Sequence, residues 1–265
     1  MLDYDREAAR YDATRGGDAR AQAAANAIET LLTGLGAAPA RIVDVGRGTG
    51  IVTVRLARPG RSVAGVERSG GMAAVAATRL PGQVTLGDGS RLPLGGESVD
   101  VVTMVWLLHL LNPADSASAL AEAERVLRRG GLLITTVGKD DAAGGAADDA
   151  TAIIAPVRAR FDHDPTDRLE RVLDLGERLG LALAARTTFV GLGQGLSPRR
   201  WCKQLRGDGH GWTAAAGRER VEALCATLET LPDQDRVRPD PVYQLVALGK
   251  DGEAVTRPAC CGSAR

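Results

Sequence analysis

Lysine is nearly missing from this chain of 265 residues: it occurs only at Lys139, Lys203 and Lys250, and arginine carries the rest of the positive charge. Thirty-three basic residues face thirty-three acidic ones, so the formal net charge is zero. A protein whose main partner is a nucleic-acid backbone usually carries a basic excess, and none is present. Cysteine is scarce, four residues with Cys260 and Cys261 adjacent, which excludes a disulfide framework. Aromatic side chains number eight, three Trp, three Tyr and two Phe, so each is a candidate anchor. No apolar run reaches membrane-spanning length, and the opening MLDYDREAARYD is too charged for a signal peptide. These absences lead us to expect a cytoplasmic protein, a monomer or homodimer, whose partner is neither nucleic acid nor membrane.

What is present is an ordinary share of apolar residues, 44%, enough for a core. The length suits one α/β domain with a smaller lid. Abundant Ala, Gly and Arg reflect a GC-rich coding sequence rather than chemistry. Residues 5–33 read as helix, broken near Gly16-Gly17, and 34–39 as a linker. An alternation follows: strand 41–45, helix 50–58, strand 62–66, helix 70–79, strand 83–87, a long apolar strand within 98–108, helix 115–128 ending at Arg128-Arg129-Gly130-Gly131, and strand 132–138. The stretch 140–150 reads as a flexible connection, followed by a helix at 167–179, a strand at 181–190, a polar insert at 191–238 and a last strand at 241–248. The pattern predicts a Rossmann-like, doubly wound seven-stranded sheet, mostly parallel with a late antiparallel strand. The expected division is a helical cap at 1–39, a core at 40–190 and 239–250, a lid at 191–238 and a disordered tail at 251–265.

In such sheets ligands bind outside the carboxyl ends of the strands, so the first βα loop matters most. It reads VDVGRGTG, with Asp44 at its head and Gly46, Gly48 and Gly50 in G-x-G-x-G spacing. A dinucleotide site wants G-x-G-x-x-G, and Ile51 stands at the last position. The carboxylate of Asp44 also suits an amino-bearing headgroup better than a pyrophosphate. After the second strand Glu67 stands where a carboxylate takes ribose hydroxyls. After the third, Asp88 in LGDGSRLPL is placed to accept from an adenine amino group.

Taken together, these stretches resemble the class I S-adenosylmethionine-dependent methyltransferases. VDVGRGTG is similar to the family's first motif, VAGVERSGGMAAVA to the second, LGDGSRLPLGGESVDVVTMVWLLHLL to the third and AERVLRRGGLLITT to a later one. The likeness covers roughly 40–137 and points to the small-molecule branch of bacterial secondary metabolism. It implies S-adenosylmethionine as cofactor, S-adenosylhomocysteine as product, and a small metabolite as acceptor. Carried over, Gly46, Gly48 and Gly50 pass the methionine portion and Asp44 orients its amino group. Glu67 with Arg68 stands at the ribose, and Met72, Asp88, Gly89 and Ser90 at the adenine. Tyr11 and Arg15 fold over the cofactor from the cap, and Val105 lines its site. Two departures stand out: Gly89 replaces an alanine, and Arg47 puts a large cation where the family keeps a small residue.

Methyl transfer from a sulfonium needs alignment and, for weak nucleophiles, a base. His109 in WLLHLL is the candidate base and substrate contact, and a packing histidine is the plain alternative. Trp106 and Trp201 are candidate substrate contacts, with core and surface packing as their alternatives. In the lid, Arg199, Arg200, His210 and Trp212 suit an anionic or aromatic acceptor. Asn112-Pro113 is followed by Ala114, which argues against an enzyme for DNA amino groups, and no carboxylate follows the fourth strand to hold magnesium. No metal site is expected. Two other readings stay open: a non-methylating or ligand-binding member of the same fold whose site Arg47 has altered, and an enzyme for tRNA or rRNA.

Overall fold

The computed structural model describes residues 3–139, 142, 148–161, 165–207 and 211–250. The expected disordered tail, with Cys260 and Cys261, lies outside the described residues, as do His210 and most of the connection at 140–150. Strand β1 (Arg41–Val45) forms where apolar side chains suit burial on both faces. It pairs in parallel with β2 (Ser62–Glu67) and β4 (Val99–Met104). β3 (Val84–Leu86) adds to β2, and β5 (Leu127–Val137) to β4, both in parallel. The late strands β6 (Leu181–Val190) and β7 (Val242–Lys250) complete the order β3-β2-β1-β4-β5-β7-β6. β7 runs antiparallel to both its neighbours, β5 and β6, as expected of a strand returning from a long excursion.

The winding reverses between β1 and β4, which puts their carboxyl ends at the topological switch point. Alternate side chains leave the sheet on opposite faces. Ile42, Val63, Val101 and Ile134 pack under helix α3 (Gly17–Gly34), through Ala21, Ala24, Ile28 and Leu32. Val43, Val45, Val66 and Val102 pack on the other face with helix α5 (Pro113–Val126), through Ala119, Leu120 and Ala123. Helix α4 (Gly70–Arg79) starts on a Ser69 cap whose side chain accepts from the Met72 N–H. The N-terminal helix is indeed broken at Gly16, which at φ +86° separates α3 from the short helices α1 (Tyr4–Glu7) and α2 (Tyr11–Thr14).

Three local expectations need correction. Residues 50–58 make only a 3-10 turn at Thr53–Leu56, since Val52, Thr53 and Val54 are β-branched and the Thr53 hydroxyl is engaged by Asp44. Arg128 to Gly131 do not end a helix: α5 stops at Val126 and the segment is already strand, with an irregular register against β4. Helix α6 (Asp149–Arg158) went unread because its start lies in a low-complexity stretch; Asp148 and Thr151 form a capping box there. α6 packs not on the sheet but with the insert helices α8 (Pro198–Arg206), α9 (Gly211–Ala216) and α10 (Arg218–Glu229), in a cluster holding Ile154, Cys202, Trp212, Leu224 and Cys225. Helix α7 (Leu169–Arg178) returns to the sheet through Val172.

Candidate functional site

The loop after β1 is built from three left-handed glycines, Gly46, Gly48 and Gly50, at φ +66°, +56° and +72°. A side chain at these angles is strained, so the G-x-G-x-G spacing is a backbone requirement. At Gly48 an added Cβ would meet nothing within 4 Å, so the main chain there lies open to an approaching ligand. Asp44 pins the loop from below: one carboxylate oxygen accepts from the Thr103 hydroxyl at 2.7 Å and the other from Thr53. Full burial raises its pKa, and the two hydroxyl donors oppose that shift. Asp44 borders the cavity but spends its oxygens on the protein, so it orders the loop more directly than any ligand. Glu67, buried at the end of β2, accepts from the Gly48 N–H at 2.7 Å and the Ser69 N–H at 2.9 Å. One carboxylate thereby joins the glycine loop to the start of α4.

Arg47 is among the residues that border the cavity, but its guanidinium is not set beside the ligand as the resemblance implied. Its guanidinium turns back under the loop, donating to the Gln83 carbonyl at 2.9 Å, and the side chain is buried. The slot exists because two neighbours lack a Cβ. A Cβ at Gly65 would sit 2.8 Å from Arg47 Nε and Nη1, and one at Gly50 would sit 2.6 Å from Nη2. Burial lowers the Arg47 pKa, while Asp44 and Glu67 nearby favour the charge.

The repeated Tyr-Asp of the N-terminus has a use in each copy. Asp5 accepts from the Ser69 hydroxyl at 2.6 Å and the Gly71 N–H at 2.8 Å, at the N-terminus of α4. Asp12 accepts from the Thr49 hydroxyl at 2.7 Å and from Arg79 at 2.6 Å, while Arg79 also donates to the Thr49 carbonyl at 2.6 Å. Tyr4 and Tyr11 pack 6.1 Å apart and both line the cavity, and burial pushes the Tyr4 phenol up to about 12. Arg15 lines it too, with its guanidinium 5.8 Å from the Tyr11 ring. Because Asp12 holds the cap on the loop, Asp12→Ala should release it. Trypsin cleavage at exposed Arg6, Arg10 and Arg15 is expected to speed up severalfold, and an unchanged digestion pattern would refute the latch.

At the end of β4 the chain turns through Trp106, which at φ +56° occupies a strained conformation for a bulky residue and donates its N–H to Thr136 Oγ1 at 2.7 Å. Val105, Trp106 and Leu110 line the cavity with Met72 and Glu67. His109 sits in a 3-10 turn, Leu108–Leu110, behind that wall and not on it. Its Nδ1 is shielded and has no hydrogen-bond partner. Burial first, then Lys139, Arg20 and Arg15, hold its pKa well below the usual range, so the ring is neutral at pH 7. An unfolded chain binds that proton below about pH 6.5 while the folded one does not, so stability should be lost as the pH falls through that value. His109→Gln should flatten the fall in melting temperature between about pH 6.5 and 5; equal slopes in both proteins would contradict it.

Asp88 closes its own turn, accepting from the Ser90 N–H and hydroxyl at 2.8 Å each, with Arg68 near enough to favour its charge. Asp88, Gly89, Ser90 and Arg68 border the third strand and do not line the cavity. Trp201 is not brought to the site: it packs against the insert's own cluster with Cys202 and Leu224. Sequence reasoning missed Asp12, Thr49 and Arg20, all on the cavity wall. Only Asp12, through the repeated Tyr-Asp, left a visible trace. Among the described residues no group of His, Cys, Asp or Glu is placed to hold a metal, and no helix is long and apolar enough to cross a membrane.

The fold, the loop at the switch point and the acid at the end of β2 are similar to those of methyltransferase domains. Residues 43–135 match the family model described as methyltransferase domain. An uncharacterized methyltransferase of Geobacillus kaustophilus is 34% identical over 134 residues, 49% of this chain and 60% of that one. A demethylmenaquinone methyltransferase of Mycobacterium bovis is 37% identical over 94 residues, 36% of this chain and 39% of that one. The chain thus spans about 60% or less of the length of these curated relatives. The crystal structure of the [4+2]-cyclase SpnF is similar with a TM-score of 0.56 at 19% identity, over 93% of this chain and 94% of that one. The likeness to that structure is one of fold.

Proposed function

We propose that this protein transfers a methyl group from S-adenosylmethionine to an oxygen, nitrogen, sulfur or carbon atom of a small metabolite. The observation that carries this is the open Gly48 main chain beside the buried Glu67 carboxylate, at the mouth of a cavity on the switch point. The residues fit such a group: the glycines let a ligand lie against the main chain, Glu67 is a ribose-binding acid, and Met72 is an apolar wall for a base. Bound there, the cofactor supplies an already activated methyl. The chain's own residues then have three tasks: Tyr11 and Arg15 of the cap close over the ligand, Asp88 with Gly89 and Ser90, off the cavity wall, meet an adenine edge that extends past Met72 to the end of β3, and Val105 and Trp106 set the acceptor's approach. His109 is the candidate base: it is neutral but stands behind the cavity wall with Nδ1 shielded, so it takes a proton from an acceptor only when the turn Leu108–Leu110 shifts to expose it.

In this reading residues 1–39 are the cap, 40–190 with 239–250 the core and 191–238 the lid, with α6 joining the lid by its packing. The protein works as a monomer or homodimer in the cytoplasm, without nucleic acid. Isothermal titration with S-adenosylhomocysteine tests the assignment. Saturable heat and a raised melting temperature are expected; no heat and no thermal shift with either form of the cofactor would end it.

A further inference from the structure

Arg20 is a buried cation without an anion. It stands at the start of α3, is 6% exposed, and lays its guanidinium 3.5 Å from the centre of the Trp106 ring. Nη1 donates to the Arg15 carbonyl at 2.7 Å, and Nε has no partner. The indole Nε1 of Trp106 is likewise buried and unpartnered. Both residues line the cavity, and these two unpartnered donors lie just behind its surface, so a carboxylate reaches them by a small shift of the two side chains. Among the described residues neither Arg20 nor Arg15 has an ion pair. The one carboxylate that acts on Arg20, Asp12, is spent on Arg79 and Thr49. Tyr243, whose ring lies 6.0 Å from the Arg20 guanidinium, is spoken for by Gln194 at 2.6 Å. His109 feels three cations, Lys139, Arg20 and Arg15, and no anion.

A buried charge without a partner is costly and calls for one. Position says which ligand brings it. Glu67 and the glycine loop sit on β2 and β1, whereas Arg20 rests on Trp106 beyond β4 and faces Tyr243 of β7, across the switch point from the ribose acid. Arg15, nearer Tyr11 of the cap, is left for the cofactor's own carboxylate.

We propose that Arg20, with the Trp106 indole N–H beside it, binds a carboxylate carried by the methyl acceptor, so that this enzyme acts on a small carboxylic acid. The inference rests on the cavity being the cofactor site proposed above. Guanidinium and carboxylate match as a fork, and burial strengthens the pair.

The test uses the full chain saturated with S-adenosylhomocysteine and two matched probe pairs, benzoate with benzamide and acetate with acetamide. A carboxylate should raise the melting temperature and its amide should not; in Arg20→Gln the carboxylate affinity should fall at least tenfold, and Arg20→Lys should keep part of it. Equal behaviour of acids and amides in the wild type would overturn the proposal without any variant, even if Arg20→Gln does not fold. The cofactor source is separated by comparing S-adenosylhomocysteine with 5′-methylthioadenosine, which lacks the carboxylate. If Arg20→Gln weakens only the former tenfold, the guanidinium belongs to the cofactor and the proposal is wrong. If S-adenosylhomocysteine fails to bind the wild type, the cofactor reading falls instead, and the acid and amide probes on the free protein still decide Arg20.

Discussion

Gly65→Ala is expected to lower the melting temperature by roughly 5–10 °C, and Arg47→Ser in the same chain to restore most of it. Gly65 lies inside β2, where an alanine would ordinarily be neutral or favourable by a few tenths of a kcal/mol or more. Its φ is not left-handed, so the backbone does not demand glycine. The obstacle is Arg47: the three heavy atoms nearest to where a Cβ at Gly65 would stand are all its own, Cδ, Nε and Nη1. Overfilling a packed slot costs about 1–3 kcal/mol, and this slot is closed on its other sides by Gly50 and Ala76. Removing the arginine opens the slot, so the sign of Gly65→Ala should reverse or vanish in the Arg47→Ser background. Such a coupling is measured by a double-mutant cycle. Equal destabilisation in both backgrounds would show that Arg47 is not the obstruction. Because the guanidinium points away from the cavity, Arg47→Ser alone should leave S-adenosylhomocysteine affinity within about threefold. A tenfold rise, about 1.4 kcal/mol, would instead make the arginine an antagonist of binding and revive the altered-site reading.

That arginine also marks where linear sequence stops being informative. The strands were legible because β1, β2, β4 and β5 are short apolar runs between turn residues, and buried parallel strands need nothing subtler. The glycine loop was legible because left-handed backbone demands glycine, one residue at a time. The direction of the Arg47 side chain was not, since it depends on the missing Cβ atoms of Gly65 and Gly50 and on a carbonyl at Gln83, contacts set by the sheet's register. Arg20 and Trp106 are likewise joined only by the packing of α3 over the end of β4. Trp201 misled because polarity along 191–238 marks an insert but not which face of a helix it buries. Helix α6 was hidden by composition: Ala and Asp repeat on both sides of its cap, and only folding distinguishes Asp148 from its neighbours.

Glu67→Ala is expected to weaken S-adenosylhomocysteine binding by about 100-fold. Hydrogen bonds to a charged group contribute about 1.5–3 kcal/mol each, and a ribose offers two hydroxyls, so their joint loss amounts to about 3 kcal/mol or more. The carboxylate has a second duty that sets the shape of the result. It holds the Gly48 and Ser69 N–H groups, tying the glycine loop to the cap of α4. Alanine leaves both donors unpaired, so the apo protein should also melt several degrees lower. Glu67→Gln separates the duties: its amide oxygen accepts one N–H bond and keeps the side chain's volume, but the charge and the second acceptor are gone. The glutamine variant should therefore recover most of the lost stability while remaining at least tenfold weaker for the cofactor. 5′-Methylthioadenosine, which keeps the ribose, should lose affinity in parallel, whereas a carboxylate probe at Arg20 should bind as before. If Glu67→Ala binds S-adenosylhomocysteine within threefold of the wild type, the acid serves the loop alone and the ribose must be held elsewhere. If binding falls but glutamine restores it fully, the contact is one of shape and neutral hydrogen bonding, and the charge at the end of β2 is not what recognises the ligand.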